Sequence, residues 1–275
     1  MDTSITAEAF LDRLPSPQAE VVIRGVPREV AALTIWRTAH GVTQEVRGAI
    51  RAAVVDSLAR PDLEVPFGVP VQYRAELFSL LGISLGFTAT TTTQVDSADT
   101  WVHNVLMPAG ATRVQLRAKS ARTISRPSRG TVVRIPGREA GVLIGAGRQG
   151  VTGVDLSVIT DTVDAADRIQ AMLGSEQNSA PAVLCFRLGA HEFTRLPQPF
   201  YAGVLDIVEE DVSASIGGGM MYQTMVGDEV APPLPGLFIS LLTRAHLNAY
   251  YGTRAALNAD NASRLSVNRR YDLVR

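Results

Sequence analysis

From Ala19 to Val95, apolar and polar positions alternate in short runs separated by turn residues: AEVVIRGVP, AALTIWRTAHG, VTQEVRGAI, AAVVDSL, VPVQYRAELFSLLG and LGFTATTTTQV. A period of two marks a strand with one face in a core, because successive side chains point to opposite sides of a sheet. Leu33 and Ile35 on one run, and Val71, Tyr73, Ala75 and Leu77 on another, should face inward together. Pro66 to Gly68 and Gly82 supply turns on either side of the Tyr73 strand. The pattern predicts a small antiparallel sandwich over residues 19–96, preceded by an N-terminal segment, 1–18.

A polar stretch, VDSADTW, approaches a boundary, and a second unit spans residues 97–235. Its β-branched, glycine-punctuated segments predict strands and turns around a single helix over Asp164–Leu173. Thr162 or Asp161 can cap that helix, Asp164 and Asp167 lie in its first turns, Ile169 and Leu173 are four apart, and Gly174 stops it. Strands resume in APAVLCFRL, FYAGVLDIVEED and GGMMYQTMVGDEV. Residues 236–275 carry a ten-residue repeat: TRAHLNAYYG, TRAALNADNA, then more loosely SRLSVNRRYD. Ten helical residues rotate about 1000°, so one straight helix would set successive units about 80° out of phase. Short helical turns broken at Gly252 and Ala262 are expected, with Leu247, Leu257 and Tyr271 laid on a neighbouring surface. The expected fold class is mostly β: a sandwich, a β-rich domain with one helix, and a short helical tail.

Charge narrows the function. A net charge of -1 with 19% charged residues provides no basic field to neutralise phosphates, which argues against nucleic-acid binding. Among the basic residues only Lys119 is lysine, which speaks of a GC-rich coding sequence more than of guanidinium chemistry. Cys185 sits in an apolar run, PAVLCFR, far in sequence from His40, His103, His191 and His246, and is expected to be a buried, inert thiol. The N-terminus lacks the positive charge and long apolar core of a signal peptide, and no run reaches the roughly 18 apolar residues of a membrane span. A soluble product made in a cytoplasm is expected.

Catalytic motifs do not assemble. Gly145, Gly147 and Gly150 match a dinucleotide fingerprint, but VTGVDLSVITDTV follows, a strand-like alternation where the fingerprint needs a helix to hold a pyrophosphate. They are expected to be hairpin or loop glycines. No metal-ligand spacing appears, and Glu209, Glu210 and Asp211 alternate faces as a solvated strand end would. No nucleophile elbow pairs with a histidine. The expectation is a protein without cofactor or metal that is not an enzyme. Trp36, Trp101 and Phe67 offer an alternative, a carbohydrate-binding or adhesion module, with a cryptic enzyme as a third reading.

The segment 19–96 resembles a fibronectin type III or immunoglobulin-like module, with Tyr73 where such folds often place a corner tyrosine. Lacking a cysteine pair, it fits the fibronectin version better. RGVPREVAALTIWR, VPFGVPVQYRAELFSLLGISLGF, TWVHNVLMP, RGTVVRIP with IPGREAG, GVTGVDLSVITDTVDAADRIQAMLG, VLCFR and VAPPLPG, in that order, resemble minor tail proteins of actinobacterial phages and prophages. The later half is similar in layout to the distal tail protein family. The decamer tail resembles the repeated aromatic and leucine segments that end such proteins, with most aromatics replaced. The resemblance implies a virion protein of the tail tip, assembled in the host cytoplasm into a ring, a hexamer or, on the hub side, a trimer. Its implied partners are itself, the tail tube protein, the tail hub and other minor tail proteins, with the tape measure protein or a host-surface glycan beyond them. The candidate contact residues are Arg134, Pro136, Gly137 and Arg138 in a loop, with Leu247, Leu257 and Tyr271 in the tail.

Overall fold

The computed structural model describes residues 3–174, 181–192, 194–212, 217–234 and 242–273. The fold is mostly β, with one helix inside the second unit and short helices at the C-terminus. In the first unit, β1 (Ser4–Phe10), β2 (Gln18–Arg24) and β6 (Leu58–Asp62) form one sheet in the order β1-β2-β6. The facing sheet is built on β3 (Val30–Ala39), β4 (Val42–Glu45), β5 (Ala52–Ala53), β7 (Pro70–Ser79), β8 (Ser84–Phe87) and β9 (Thr91–Gln94). Its order is β4-β3-β7-β8, with β5 on β3 and β9 on β7.

Leu33 lies opposite Leu77 and Ile35 opposite Ala75. Leu33, Ile35, Val71, Tyr73 and Ala75 are fully buried against Val21 and Ile23 of the other sheet, while Leu77 is partly buried at the margin. Burying a Leu or Ile fully contributes roughly 1.5–3 kcal/mol, so this face is a main source of stability. Gly68 and Gly82 take the positive φ of +71° and +78° that their turns require.

Three expectations for this unit need correction. Residues 4–10, left outside the sandwich, form its strand β1, which pairs with β2 from Ser4 opposite Arg24 to Phe10 opposite Gln18. Ile5, Ala7 and Ala9 turn to the core, and short alanine side chains make that period easy to miss. VRGAI, read as strand, is a turn whose Val46 and Ala49 plug the core, with Gly48 at φ +76°. Tyr73 is not a corner tyrosine: it sits mid-strand, and its hydroxyl donates to the carboxylate of Asp62 at 2.8 Å instead of to backbone. Pro61 is tolerated in β6 because that strand lies at a sheet edge, where a missing N–H costs no ladder bond.

The second unit contains β10 (Thr100–Asn104), β11 (Met107–Leu116), β12 (Ser128–Val133), β13 (Val142–Arg148), β14 (Val154–Asp155), β15 (Val158–Thr160), α1 (Val163–Met172), β16 (Val183–Arg187), β17 (Phe200–Asp211) and β18 (Met221–Glu229). Strands β15, β11, β10, β16, β17 and β18 pair in succession, and β18 returns to β15, so the sheet closes on itself as a barrel. Val102, Val114, Leu184, Phe186, Phe200 and Met225 belong to its core. Helix α1 packs on β11 and β10 through Ala166, Ile169 and Met172. Thr162 caps it by accepting from Ala165 N, and Gly174 follows its end at φ +98°, as its sequence signals.

The tail forms α2 (Arg244–Tyr250), α3 (Arg254–Asp260) and α4 (Arg264–Asn268), followed by a 3-10 turn over Tyr271–Leu273. Thr243, Thr253 and Ser263, the first residue of each decamer, are the three N-caps. The breaks come at Tyr251 and Asn261, extended residues one place before the expected Gly252 and Ala262.

Candidate assembly interface

Strands β12 and β13 form a separate two-stranded ribbon whose main packing partners are each other. Val133 pairs with Val142, Val132 with Leu143, Thr131 with Ile144 and Gly130 with Gly145. At the tip, Arg138 N donates to Ile135 O at 3.1 Å and Gly137 stands at φ +85°. Pro at the second place and a positive-φ Gly at the third is the pattern of a type II turn, which is why Pro136–Gly137 closes this hairpin. Gly130 has no room for a side chain, since a Cβ there would stand 2.7 Å from the carbonyl oxygen of Ile144. Gly147, at φ +88°, lies where the register slips, so the apparent nucleotide fingerprint serves a bulged hairpin.

The ribbon stands in solvent. Leu143 is 69% exposed, Ile144 63% and Val132 59%, so aliphatic side chains are bare on both faces. Six strand residues span roughly 20 Å, and an isolated hairpin of that size is marginal in water. Exposed β-branched strands with unpaired edges mark an interaction surface or an aggregation hazard. Around them, the side chains of Arg129, Arg134, Arg138 and Arg148 form no ion pair among the described residues. A second apolar point lies at the β7–β8 turn, where Leu80 and Leu81 are bare.

The structure gathers Arg134, Pro136, Gly137 and Arg138 at one tip, but the three tail candidates lie elsewhere. Tyr271 is buried with Leu63 of the sandwich and with Leu242, so it packs on its own chain instead of reaching for a partner. Leu247 and Leu257 are half-buried within the tail. The aromatic trio of the alternative reading does not form a platform: Phe67 is buried in the sandwich core, Trp101 packs against that core from the barrel, and Trp36 is half-buried on β3.

Between the units lies a set of buried titratable groups. Arg37 Nη1 donates to both carboxylate oxygens of Asp62, at 2.7 and 3.0 Å, and its Nη2 to Gln44. Arg47 pairs with Glu64 at 2.6 Å, and Tyr201 donates to the other Glu64 oxygen at 2.8 Å, which ties the sandwich to the barrel. Arg187 reaches from β16 to Pro17 O and Ser16 Oγ, both at 2.6 Å, with its guanidinium 4.6 Å from the Phe67 ring centre.

Histidine and cysteine meet here too, against their separation in sequence: His103 lies directly opposite Cys185 across β10 and β16. Burial pushes the Cys185 thiol up and the imidazole well below its ordinary value, the latter helped by Arg187 and Arg47. A protonated thiol beside a neutral imidazole is the reverse of an activated pair. The space beside His103 is about 10 Å³, scarcely one water. A cleft of about 650 Å³ does open between the β3–β4 hairpin and the barrel. Arg37 and Glu229 reach its wall already engaged, Glu229 by accepting from Val151 N at 2.7 Å.

His103 makes acid stability testable. Held neutral in the fold, it favours the unfolded chain, which takes up a proton below about pH 6.5, so stability falls as pH drops through that value. The slope from one such group is at most about 1.4 kcal/mol per pH unit. His103→Leu should flatten the fall in urea midpoint between pH 6.5 and 5; an unchanged fall would show that other groups carry it.

No family model, curated protein or solved structure matches the chain.

Proposed function

We propose that this protein is a structural subunit of a phage tail tip, of the distal or minor tail kind, which self-associates into a ring between the tail tube and the hub. The observation that carries the reading is the β12–β13 arm: bare aliphatic strands, flanked by arginines without ion pairs among the described residues and projecting from a closed barrel. A soluble monomer gains nothing from such an arm, whereas a ring subunit needs a projecting element that its neighbour covers. The order of sequence segments that resembles minor tail proteins supports the same role. Barrel closure adds to it, because strands paired in a ring leave the arm as the barrel domain's exposed β element. The adhesion alternative has weaker support, since Trp36, Trp101 and Phe67 do not share an exposed face.

Sedimentation of the purified chain across a concentration series, with electron-microscope images of the heaviest fraction, tests the proposal. Closed rings of six, or of three, are expected. A strict monomer throughout, with a glycan bound by that monomer, would replace the tail-tip reading with the adhesion module.

A further inference from the structure

The arm carries charge of one sign, and the opposite sign is concentrated on another part of the same barrel. From Arg126 to Arg148 there are five arginines and one acid, Glu139. From Phe200 to Leu234, which covers β17 and β18, there are six acids and no base. The chain as a whole is close to neutral, so this separation is a matter of placement and not of composition.

The β17–β18 pair has its own apolar defect. Register slips between Val204 and Ile207, and the two residues in the bulge, Leu205 and Asp206, are both exposed, Leu205 by 98%. Leu205, Val208 and Val226 line an open depression of about 300 Å³, with Asp206 and Asp228 also in its wall. Glu210 stands two residues beyond Val208 and is likewise exposed. Asp206 and Glu210 form no ion pair among the described residues. A strand bulge commonly re-aims side chains at a contact.

We infer that the arm tip of one copy, Ile135–Pro136 flanked by Arg134 and Arg138, docks in the β17–β18 depression of a second copy, between Asp206 and Glu210. The inference rests on the ring reading and names its interface. Aliphatic side chains meet Leu205, Val208 and Val226, while arginines meet acids around the rim, which fixes orientation and partner choice. Arm and depression are different surfaces of one chain, so the contact is head-to-tail. Such a contact repeats from copy to copy and closes into a ring when its rotation allows.

Three variants of the full chain test this pairing by sedimentation. Arg134→Glu with Arg138→Glu disables the tip, Asp206→Arg with Glu210→Arg disables the depression, and a third chain carries all four changes. All four sites are exposed, so thermal melts should match the parent and exclude misfolding. Each disabled chain should need at least about tenfold more protein to assemble, since one reversed contact of about 1.4 kcal/mol already shifts a binding constant that far. Mixed in equal amounts, the two should assemble into rings of alternating chains, because the parent tip of one meets the parent depression of the other and the reversed tip meets the reversed depression. The four-change chain should assemble again. Rings that persist unchanged in both disabled chains would overturn this pairing and leave the ring reading standing. Disabled chains that neither pair when mixed nor recover when combined would overturn it as well. A parent that stays monomeric would take down both.

Discussion

Replacing Asp62 by alanine should lower the unfolding free energy by roughly 3–5 kcal/mol, the cost of stranding a buried charge. Arg37 is 3% exposed and Asp62 2%, so water cannot take over from the lost carboxylate. Burial opposes the Arg37 charge, yet Asp62, with Tyr201, Tyr73 and Glu64 behind it, holds the guanidinium above its ordinary range. Asp62 also accepts from the Tyr73 hydroxyl and from Glu64 N, at 2.8 and 3.1 Å, so alanine strands three donors at once. Urea denaturation measures the effect directly. Removing both charges, with Arg37→Met and Asp62→Leu, should cost far less than Asp62→Ala alone, because a buried pair barely exceeds its own desolvation. A loss under about 1 kcal/mol for the single change would mean that Arg37 finds solvent or another acid.

Arg187 presents the opposite case, a buried cation whose direct partners are neutral. It is 0% exposed and bonds to a carbonyl and a hydroxyl, with no hydrogen-bond partner at Nε among the described residues. Burial lowers its pKa to about 10, and the nearby Asp62 and Glu64 charges only partly restore it. A base depressed in the fold binds its proton more weakly there than in the unfolded chain. Its charge therefore costs stability at all pH values below about 10, a cost relieved only as pH rises toward the ordinary arginine value. Arg187→Ala leaves a void and two unpaired groups and should cost roughly 3–5 kcal/mol. Arg187→Met keeps the stem against Phe67 and removes the desolvated charge, so its cost should stay under about 1.5 kcal/mol. Calorimetry at neutral pH separates them; equal losses would show that the two hydrogen bonds outweigh the burial of the charge.

Much of the fold could be read from local signals. Leu33 and Ile35 against Val71, Tyr73 and Ala75 carry a period that only a one-face strand explains, and the α1 caps state both ends of that helix. The decamer was equally plain, because Thr243, Thr253 and Ser263 each bring their own cap. What stayed hidden depended on tertiary placement. β1 is held by pairing with β2, not by strong strand formers, and VRGAI turns because its valine and alanine fill a gap that the sheets leave. In the candidate interface, the Pro136–Gly137 turn was legible from residue type, whereas the exposure of VVR and VLI was not. Apolar triplets look the same whether a core covers them or nothing does. His103 and Cys185 met only through strand register, and Tyr271 turned inward because Leu63 was there to receive it.

The decamer tail has a consequence in its arithmetic. Leu242, before the first unit, and Tyr271, within the third, belong to one cluster with Leu63. Three units thus complete one circuit and return the chain to its point of departure. A repeat of this kind usually tolerates gain or loss of a unit, since each brings its own cap and stop. Here the two ends share one cluster, so a tail of two units or four would have to bring its ends together over a different span. The tail closes on the body at both ends, a clasp instead of an extendable arm.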